Sequence, residues 1–483
     1  MRNWFRRPLA AAALALVAVP LATGTAAANG RYPAGNTILF APNDPSLVVV
    51  QTTFGVLFSH DRGTTWDWLC EDAFGIPSTE TADPSLGITA NGTLVAGAID
   101  RLARSTDTGC DWTFAACPFE GQRIEDIDVR PDARHVVLAI TSTPAQSLAE
   151  AGATCSNAPL DAGADGGAAY FDQVFESLDD GATWSRLGVP IDPTVLVTTL
   201  DVASGDPHRI YVAGYRVGTG ASTPAFFVSI DDGDTWSERA LPPLNGAGET
   251  GPYIAAVDPT DADRVYVRTG GTGASRLLVT NDAGATFQVA LALTGQMLGF
   301  ALSADGSKIY AGGVTDGLFV ATRSTMAFEK RSAKSVWCLA SQGVDLWACS
   351  NEISGFFAGL SSDDGATFAP KLHLSDLRGA LACAPDATAA QCSGPPFQML
   401  CRTFECGAGT TAGDAGTPTR GDAGAAPGGT RSKGGCGCSA VGGRSTAVLP
   451  VGGALGIGIA RRRRKARRIA CRAGNGHVVR EAP

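Results

Sequence analysis

Ser177-Leu-Asp-Asp-Gly-Ala-Thr-Trp184 decides the fold, because it is one member of a series. The pattern Ser-x-Asp-x-Gly-x-Thr-Trp/Phe also stands at Ser59–Trp66, Ser105–Trp112, Ser229–Trp236, Thr280–Phe287 and Ser361–Phe368. The copies start 46, 72, 52, 51 and 81 residues apart, and a degenerate copy, Ala321–Phe328, divides the last interval nearly in half. A polar turn and a β-branched run precede most copies: Asp44-Pro45 before Leu47–Val50, Asp206-Pro207 before Arg209–Val212, Asp258-Pro259 before Arg264–Val267. Short β-branched runs between Gly/Asn/Asp/Pro turns are strands.

The unit reads as strand, turn, strand, loop, strand, octamer turn, strand. In unit five the strands are expected at Tyr253–Val257, Val265–Arg268, Leu277–Thr280 and Phe287–Leu291. Seven units over residues 36–378 average about 49 residues, the period of propeller blades. The expected fold is all-β: a seven-bladed β-propeller of four-stranded antiparallel blades. The repeat register shows no strand exchanged between the termini, so Ser375–Gly407 is expected to cap the ring closure, held by disulfides.

The octamer has a structural chemistry. Its Asp (Asp61, Asp107, Asp179, Asp231, Asp282 and Asp363) accepts backbone N–H groups of its own turn. Its Gly supplies positive φ, and its terminal aromatic packs between blades. Seven equivalent turns around a ring cannot share one active site, so these aspartates are read as structural, not as catalytic or calcium-binding. The octamer resembles the Asp box of bacterial neuraminidase-like (BNR) repeats, sortilin-type propellers and photosystem-assembly-factor-like propellers, over roughly 340 residues.

Both ends stand apart from the ring. Residues 1–28 carry Arg2, Arg6 and Arg7, an apolar core from Leu9 to Leu21 and the small residues Ala26-Ala27-Ala28, the pattern of a signal peptide. The remaining expected segments are the propeller at 29–378, a Cys-rich closure cap at 379–407, a Gly/Ala/Asp/Pro-rich linker at 408–435 and a terminal segment at 436–483. That last segment begins Cys436-Gly-Cys438, continues through an apolar stretch (446–460) and reaches the cluster Arg461–Arg468. The order Cys, apolar run, basic cluster resembles the myxobacterial-type C-terminal sorting tag. The resemblance implies processing at Cys436 by export machinery, membrane attachment through the tag only, and display at the cell surface or outer envelope. The apolar stretch departs from that pattern: 15 residues reach only about 22 Å against the ~30 Å hydrocarbon core.

Composition narrows the function. With 44% hydrophobic and 18% charged residues, the chain is neither a coiled coil nor wholly disordered. Four Met and five His argue against a Met-rich partner surface or a His-rich metal site, and no metal or other cofactor is expected. The terminal segments 1–28 and 439–483 hold 13 of the 38 Lys+Arg and one of the 47 Asp+Glu. The remainder has 25 basic and 46 acidic residues, a net charge of about −21. Such a surface repels phosphate backbones and excludes nucleic acid as partner.

Ten of the 13 Cys lie outside the tag region, an even number that in an exported chain reads as disulfides. The local pairs Cys110–Cys117, Cys338–Cys349, Cys383–Cys392 and Cys401–Cys406 are expected, leaving Cys70–Cys155.

Binding residues are expected on the face opposite the octamer turns, near the long loops Thr141–Tyr170 and Gly214–Pro224. The candidates are Arg101, Glu120, Arg216, Tyr253 and Glu352. No catalytic residue is assigned. Glycosidases need two placed carboxylates, or a Tyr–Glu pair in sialidases. The sialidase family also carries a Phe/Tyr-Arg-Ile-Pro segment, which Gly30-Arg31-Tyr32-Pro33 does not match, and it has six blades. Asp-box xyloglucan hydrolases pair two seven-bladed propellers, and one is read here. The expected function is therefore non-enzymatic: a surface-displayed propeller binding a protein or glycan of the cell envelope. A sialidase-like glycoside hydrolase is the alternative.

Overall fold

The computed structural model describes residues 32–406, except 78–82, 99–100, 116, 145–169, 218–221 and 247. The signal peptide, the linker, the tag with Cys436 and most of the Thr141–Tyr170 insertion lie outside the described residues.

The units fold as expected into seven sheets whose strands follow one another in chain order. The blades are Gly35–Leu69, Ser85–Ala115, Ile124–Leu187, Val195–Glu238, Glu249–Leu293, Met297–Ser332 and Cys338–Leu372. Neighbouring strands within each are antiparallel. The first strand of each blade touches the first strand of the next, and blade seven's touches blade one's. The sheets therefore close into a ring with their first strands lining a central channel. In blade five the four strands are Glu249–Asp258, Asp261–Gly271, Ser275–Thr280 and Gln288–Leu293, longer than the sequence predicts.

Hydrophobic burial holds the sheets together. The second strand of blade one, Asp44–Thr52, buries Val48, Val49 and Val50 completely, so it is covered on both faces. A continuous apolar run of this kind marks a strand buried on both sides.

The octamer turns fasten blade to blade. The fourth and fifth octamer residues both have positive φ, as in Arg62 (58°) and Gly63 (81°). A Cβ at Gly63 would sit 2.6 Å from the Trp347 ring of blade seven, and one at Gly365 would sit 2.1 Å from Leu318 of blade six. Glycine is thus required twice over, for backbone conformation and for space. The Asp61 carboxylate accepts from Ser59 Oγ (2.8 Å), Thr64 N (3.0 Å), Thr65 N (2.8 Å) and Thr65 Oγ1 (2.6 Å). Burial is the largest single influence and raises its pKa, but those bonds together outweigh it and hold the value down to about 2. Trp66 Nε1 donates to Lys371 O of blade seven (2.8 Å).

Blade six is the exception. Its degenerate octamer places positive φ at Met326, and Arg323 stands where the others have Asp. Arg323 instead reaches across to blade five, pairing with Asp258 (3.1 Å) and Asp261 (3.2 Å). An interblade ion pair replaces the Asp turn.

Closure differs from the expectation of a cap without an added strand. Leu377–Ala380 joins blade one as a fifth strand, parallel to Trp66–Leu69, with Leu377 opposite Trp66 and Ala380 opposite Trp68. This strand spans the 378/379 boundary drawn from sequence. The helix Pro395–Phe404 follows, its Phe404 packed edge-on against Phe54 at 4.9 Å.

The cysteine pairing is corrected with it. Cys338–Cys349 and Cys401–Cys406 pair as expected. Cys110–Cys117, Cys383–Cys392 and Cys70–Cys155 do not form. Instead Cys70 bonds Cys392 and Cys110 bonds Cys383, across 322 and 273 residues. Cys117 is disulfide-bonded as well. The reason is the return of the cap onto blades one and two, which puts chain-distant thiols side by side.

Candidate functional site

The channel opens at each end into a cavity. The cavity opposite the octamer turns, about 780 Å³, is bordered by Tyr32, Asn36, Asp83, Glu125, Asp126, Tyr253, Arg268, Gln296 and Trp337, among others. The cavity on the octamer face, about 770 Å³, is bordered by Phe40, Pro42, Pro45, Ile88, Val129 and Arg134, among others. Leu39, Leu86 and Ile127 border both.

A recurring backbone irregularity shapes the first mouth. In blades one, three, four and six the inner strand bulges at one shared register, with Asn36, Glu125, Thr198 and Leu298 as the extra residues. A bulge turns its extra side chain away from the regular alternation. Three of these four residues border the mouth.

Glu125 is the chemically notable one. Its side chain is 12% exposed and lies 2.8 Å from Arg123. Burial pushes its pKa up to about 7; Arg123 opposes this only in part, and Asp126 adds to it. Arg268 lies over the Tyr253 ring at 4.8 Å and donates to Met297 O (2.9 Å). Burial holds its pKa below the usual guanidinium value and raises that of the Tyr253 phenol. Tyr32 and Trp337 stack at 5.7 Å with ring planes 17° apart.

Below this mouth runs a ladder of acids. Asp126 accepts from Ser85 Oγ (2.9 Å) of blade two and from Leu200 N (3.1 Å) of blade four. Asp128 accepts from Val202 N (2.9 Å), and Asp201 from Val257 N (3.1 Å) of blade five. Each carboxyl satisfies a backbone donor of a neighbouring inner strand. All three are half-buried at the strand surface, yet enclosed by the channel walls. Burial raises all three pKa values, with Asp201 reinforcing Asp128, and Asp201 is pushed up to about 7. Among the described residues no group of three or more His, Cys, Asp or Glu is arranged to hold a metal ion.

The five candidates from sequence do not converge. Tyr253 borders the mouth from the inner strand in which the sequence places it. Arg101 begins the third strand of blade two and lies over Phe114 at 5.6 Å. Glu120 lies between blades two and three and is half-buried. Arg216 ends the second strand of blade four and is engaged by Asp192 (2.9 Å) and Glu238 (2.7 Å). Glu352 in blade seven holds His373 Nδ1 at 2.8 Å and accepts Leu374 N at 2.6 Å. Tyr32, Glu125, Arg268 and Trp337 escaped the sequence reading. The available signal was Ile124-Glu-Asp-Ile-Asp-Val129, three acids in an inner strand.

The ring of seven four-stranded blades defines a β-propeller. The four described disulfides are those of a protein from an oxidising, extracytoplasmic compartment. No helix among the described residues is long and apolar enough to cross a membrane.

No family model matches the chain, and no curated protein does. Solved structures do. An ancestral GH74 enzyme aligns at 15% identity and a TM-score of 0.50, over 70% of this chain and 47% of its own. The chain thus spans about half the length of that enzyme. The GH74 xyloglucanase from Xanthomonas campestris aligns at 12% identity and TM-score 0.33, over 71% of this chain and 65% of its own. The Cps50 (Swd1) β-propeller domain of Myceliophteria thermophila aligns at 10% identity and TM-score 0.41, over 69% and 98%. At these identities the likeness is one of fold.

Proposed function

We propose that this is an exported, surface-displayed, non-enzymatic propeller that binds a protein or glycan of the cell envelope through the face opposite the octamer turns. The octamers act as Asp boxes, and Cys436 is the processing point of a C-terminal sorting tag. The observation that carries the binding reading is the cavity of about 780 Å³ at that mouth. It combines an aromatic pair with carboxyl, amide and guanidinium groups held by the blade sheets, the make-up of a small-ligand site. Of the five sequence candidates, Tyr253 belongs to this site. Arg101, Glu120, Arg216 and Glu352 contribute at most to its outer surroundings.

The full-length protein and its Trp337→Ala variant, used as baits in envelope extract, test this reading. It requires a ligand retained by the first and released by the second. Equal capture by both removes the mouth from the function.

One observation favours the alternative, a glycoside hydrolase. Glu125, with a pKa near 7, is a carboxyl able to hold a proton at neutral pH, as a general acid must. Turnover of fluorogenic glycosides abolished by Glu125→Gln would establish it over the binding reading.

A further inference from the structure

We infer that the mouth opposite the octamer turns is built for one ring of a neutral carbohydrate, seated on the aromatic pair Tyr32 and Trp337. The inference deepens the binding reading above and rests on it.

The platform is flat and already formed. The two rings are stacked with nearly parallel planes, and Tyr32, 54% exposed, keeps ring surface open to a ligand. Thr53 Oγ1 donates to Tyr32 O (2.9 Å), while Thr53 N donates to Ala34 O (3.0 Å), which ties the Tyr32 segment to blade one. Trp337 N donates to Cys349 O (3.0 Å), beside the Cys338–Cys349 disulfide. An aromatic face held in place binds the C–H face of a pyranose by dispersion, with little ordering cost.

Charge selects the ligand class. The cavity's charged groups are already engaged within the protein. Asn36 Nδ2 donates to Asp83 (2.8 Å), and Glu125 lies against Arg123. Asp126 takes Ser85 Oγ and Leu200 N, and Arg268 is taken up by Met297 O and the Tyr253 ring. An anionic ligand would face the carboxyl groups of Asp83, Glu125 and Asp126, while the one bordering cation among the described residues, Arg268, is already taken up. Carboxylates and amide oxygens keep further lone pairs, so sugar hydroxyls can add bonds without breaking any. The amides of Asn36, Gln51 and Gln296 border the same cavity and supply both acceptors and donors.

The test uses the full-length protein in affinity electrophoresis through gels containing β-glucan, galactomannan or arabinoxylan. Polygalacturonate and polylysine are the charged counterparts. Retardation by at least one neutral polysaccharide is expected, weakened about tenfold or more by Trp337→Ala and by Tyr32→Ala. Val344→Ser leaves it unchanged, since Val344 is 89% exposed in a hairpin turn on the octamer face. Raising the salt leaves neutral binding unaltered, because no ion pair forms. Should Trp337→Ala fail to fold by circular dichroism, Tyr32→Ala decides, because that exposed side chain lies outside every strand.

Retardation by none of the neutral polysaccharides overturns the inference, as does retardation that both aromatic variants retain. If a charged polymer or an envelope protein is held instead, and Trp337→Ala releases it, the carbohydrate assignment falls while the binding face stands. If the aromatic variants alter no binding of any kind, both fall together.

Discussion

Asp172→Asn should convert a propeller that weakens toward alkaline pH into one that weakens less. Asp172 lies on the third strand of blade three and is 1% exposed. Its Oδ1 accepts from Ser142 Oγ at 2.6 Å, while Oδ2 is buried without a partner. Burial pushes its pKa up to about 8; the Ser142 bond opposes this, and Asp192 and Glu125 add to it. In the unfolded chain the same group titrates near 3.8. Between those values the native state keeps a proton that the unfolded state has released. The protonated form's contribution is therefore complete below pH 3.8 and is lost as pH rises through 8. The loss runs at about 1.4 kcal/mol per pH unit, so this residue alone removes roughly 4 kcal/mol between pH 5 and pH 8. For a ring of this size that is a fall in Tm of about 5 °C. Asparagine mimics the protonated acid and cannot ionise. Its Tm relative to wild type should therefore rise by about 5 °C between pH 5 and pH 8. Differential scanning fluorimetry with disulfides intact measures it, and a constant cost of the amide at all pH values cancels in the comparison. Parallel Tm curves for the two proteins would refute the buried, protonated carboxyl.

Three further outcomes follow from the ring itself. Removing the Cys70–Cys392 bridge by a double Ala replacement should lower stability by up to about 5 kcal/mol, because it closes a loop of 322 residues. Removing Cys401–Cys406, a five-residue loop, should cost less in the same thermal assay. Gly365→Ala should cost about 2 kcal/mol or more, since its Cβ meets Leu318 at 2.1 Å and φ is +80°; a neutral Tm would contradict the interblade contact. Asp61→Ala should cost about 1–2 kcal/mol by orphaning the Thr64 and Thr65 amides, and the wild-type contribution should be full above pH 3.8 and fade as pH drops from there through about 2, so that it is already reduced at pH 3. Urea unfolding at pH 7 and at pH 3 reads both.

The ring was legible because the octamers are local. Ser, Asp, Gly and Thr of one turn bond one another within four residues, so the sequence carries the whole motif, and seven repeats set the blade number. Blade six shows the limit: Arg323 replaces a self-contained turn with partners about 65 residues upstream, which no local pattern reveals. The cysteines failed for the same reason. Local pairing was expected, whereas Cys383 and Cys392 bond residues some 270 and 320 positions away that the returning cap brings near. The mouth was hidden further still. It is made by single-residue bulges in inner strands, which shift Glu125 off the regular alternation, and by Trp337, which reads as an ordinary core aromatic until Tyr32 is seen stacked on it. Tyr253 was legible both as a candidate and as the head of the expected strand Tyr253–Val257, which the structure extends back to Glu249.

The cap also settles how the ring bears a mechanical load. Tension applied at Cys406 passes through Cys401 and the helix Pro395–Phe404 to Cys392, and from there covalently to Cys70 at the end of blade one. Pulled between residues 32 and 406, only the strands of blade one and the short helix lie in the line of force. Blades two to seven, with the acid ladder they carry, hang slack inside a closed covalent loop. A tug on the tail would therefore peel one blade and leave six in place until that sulfur bond is cut.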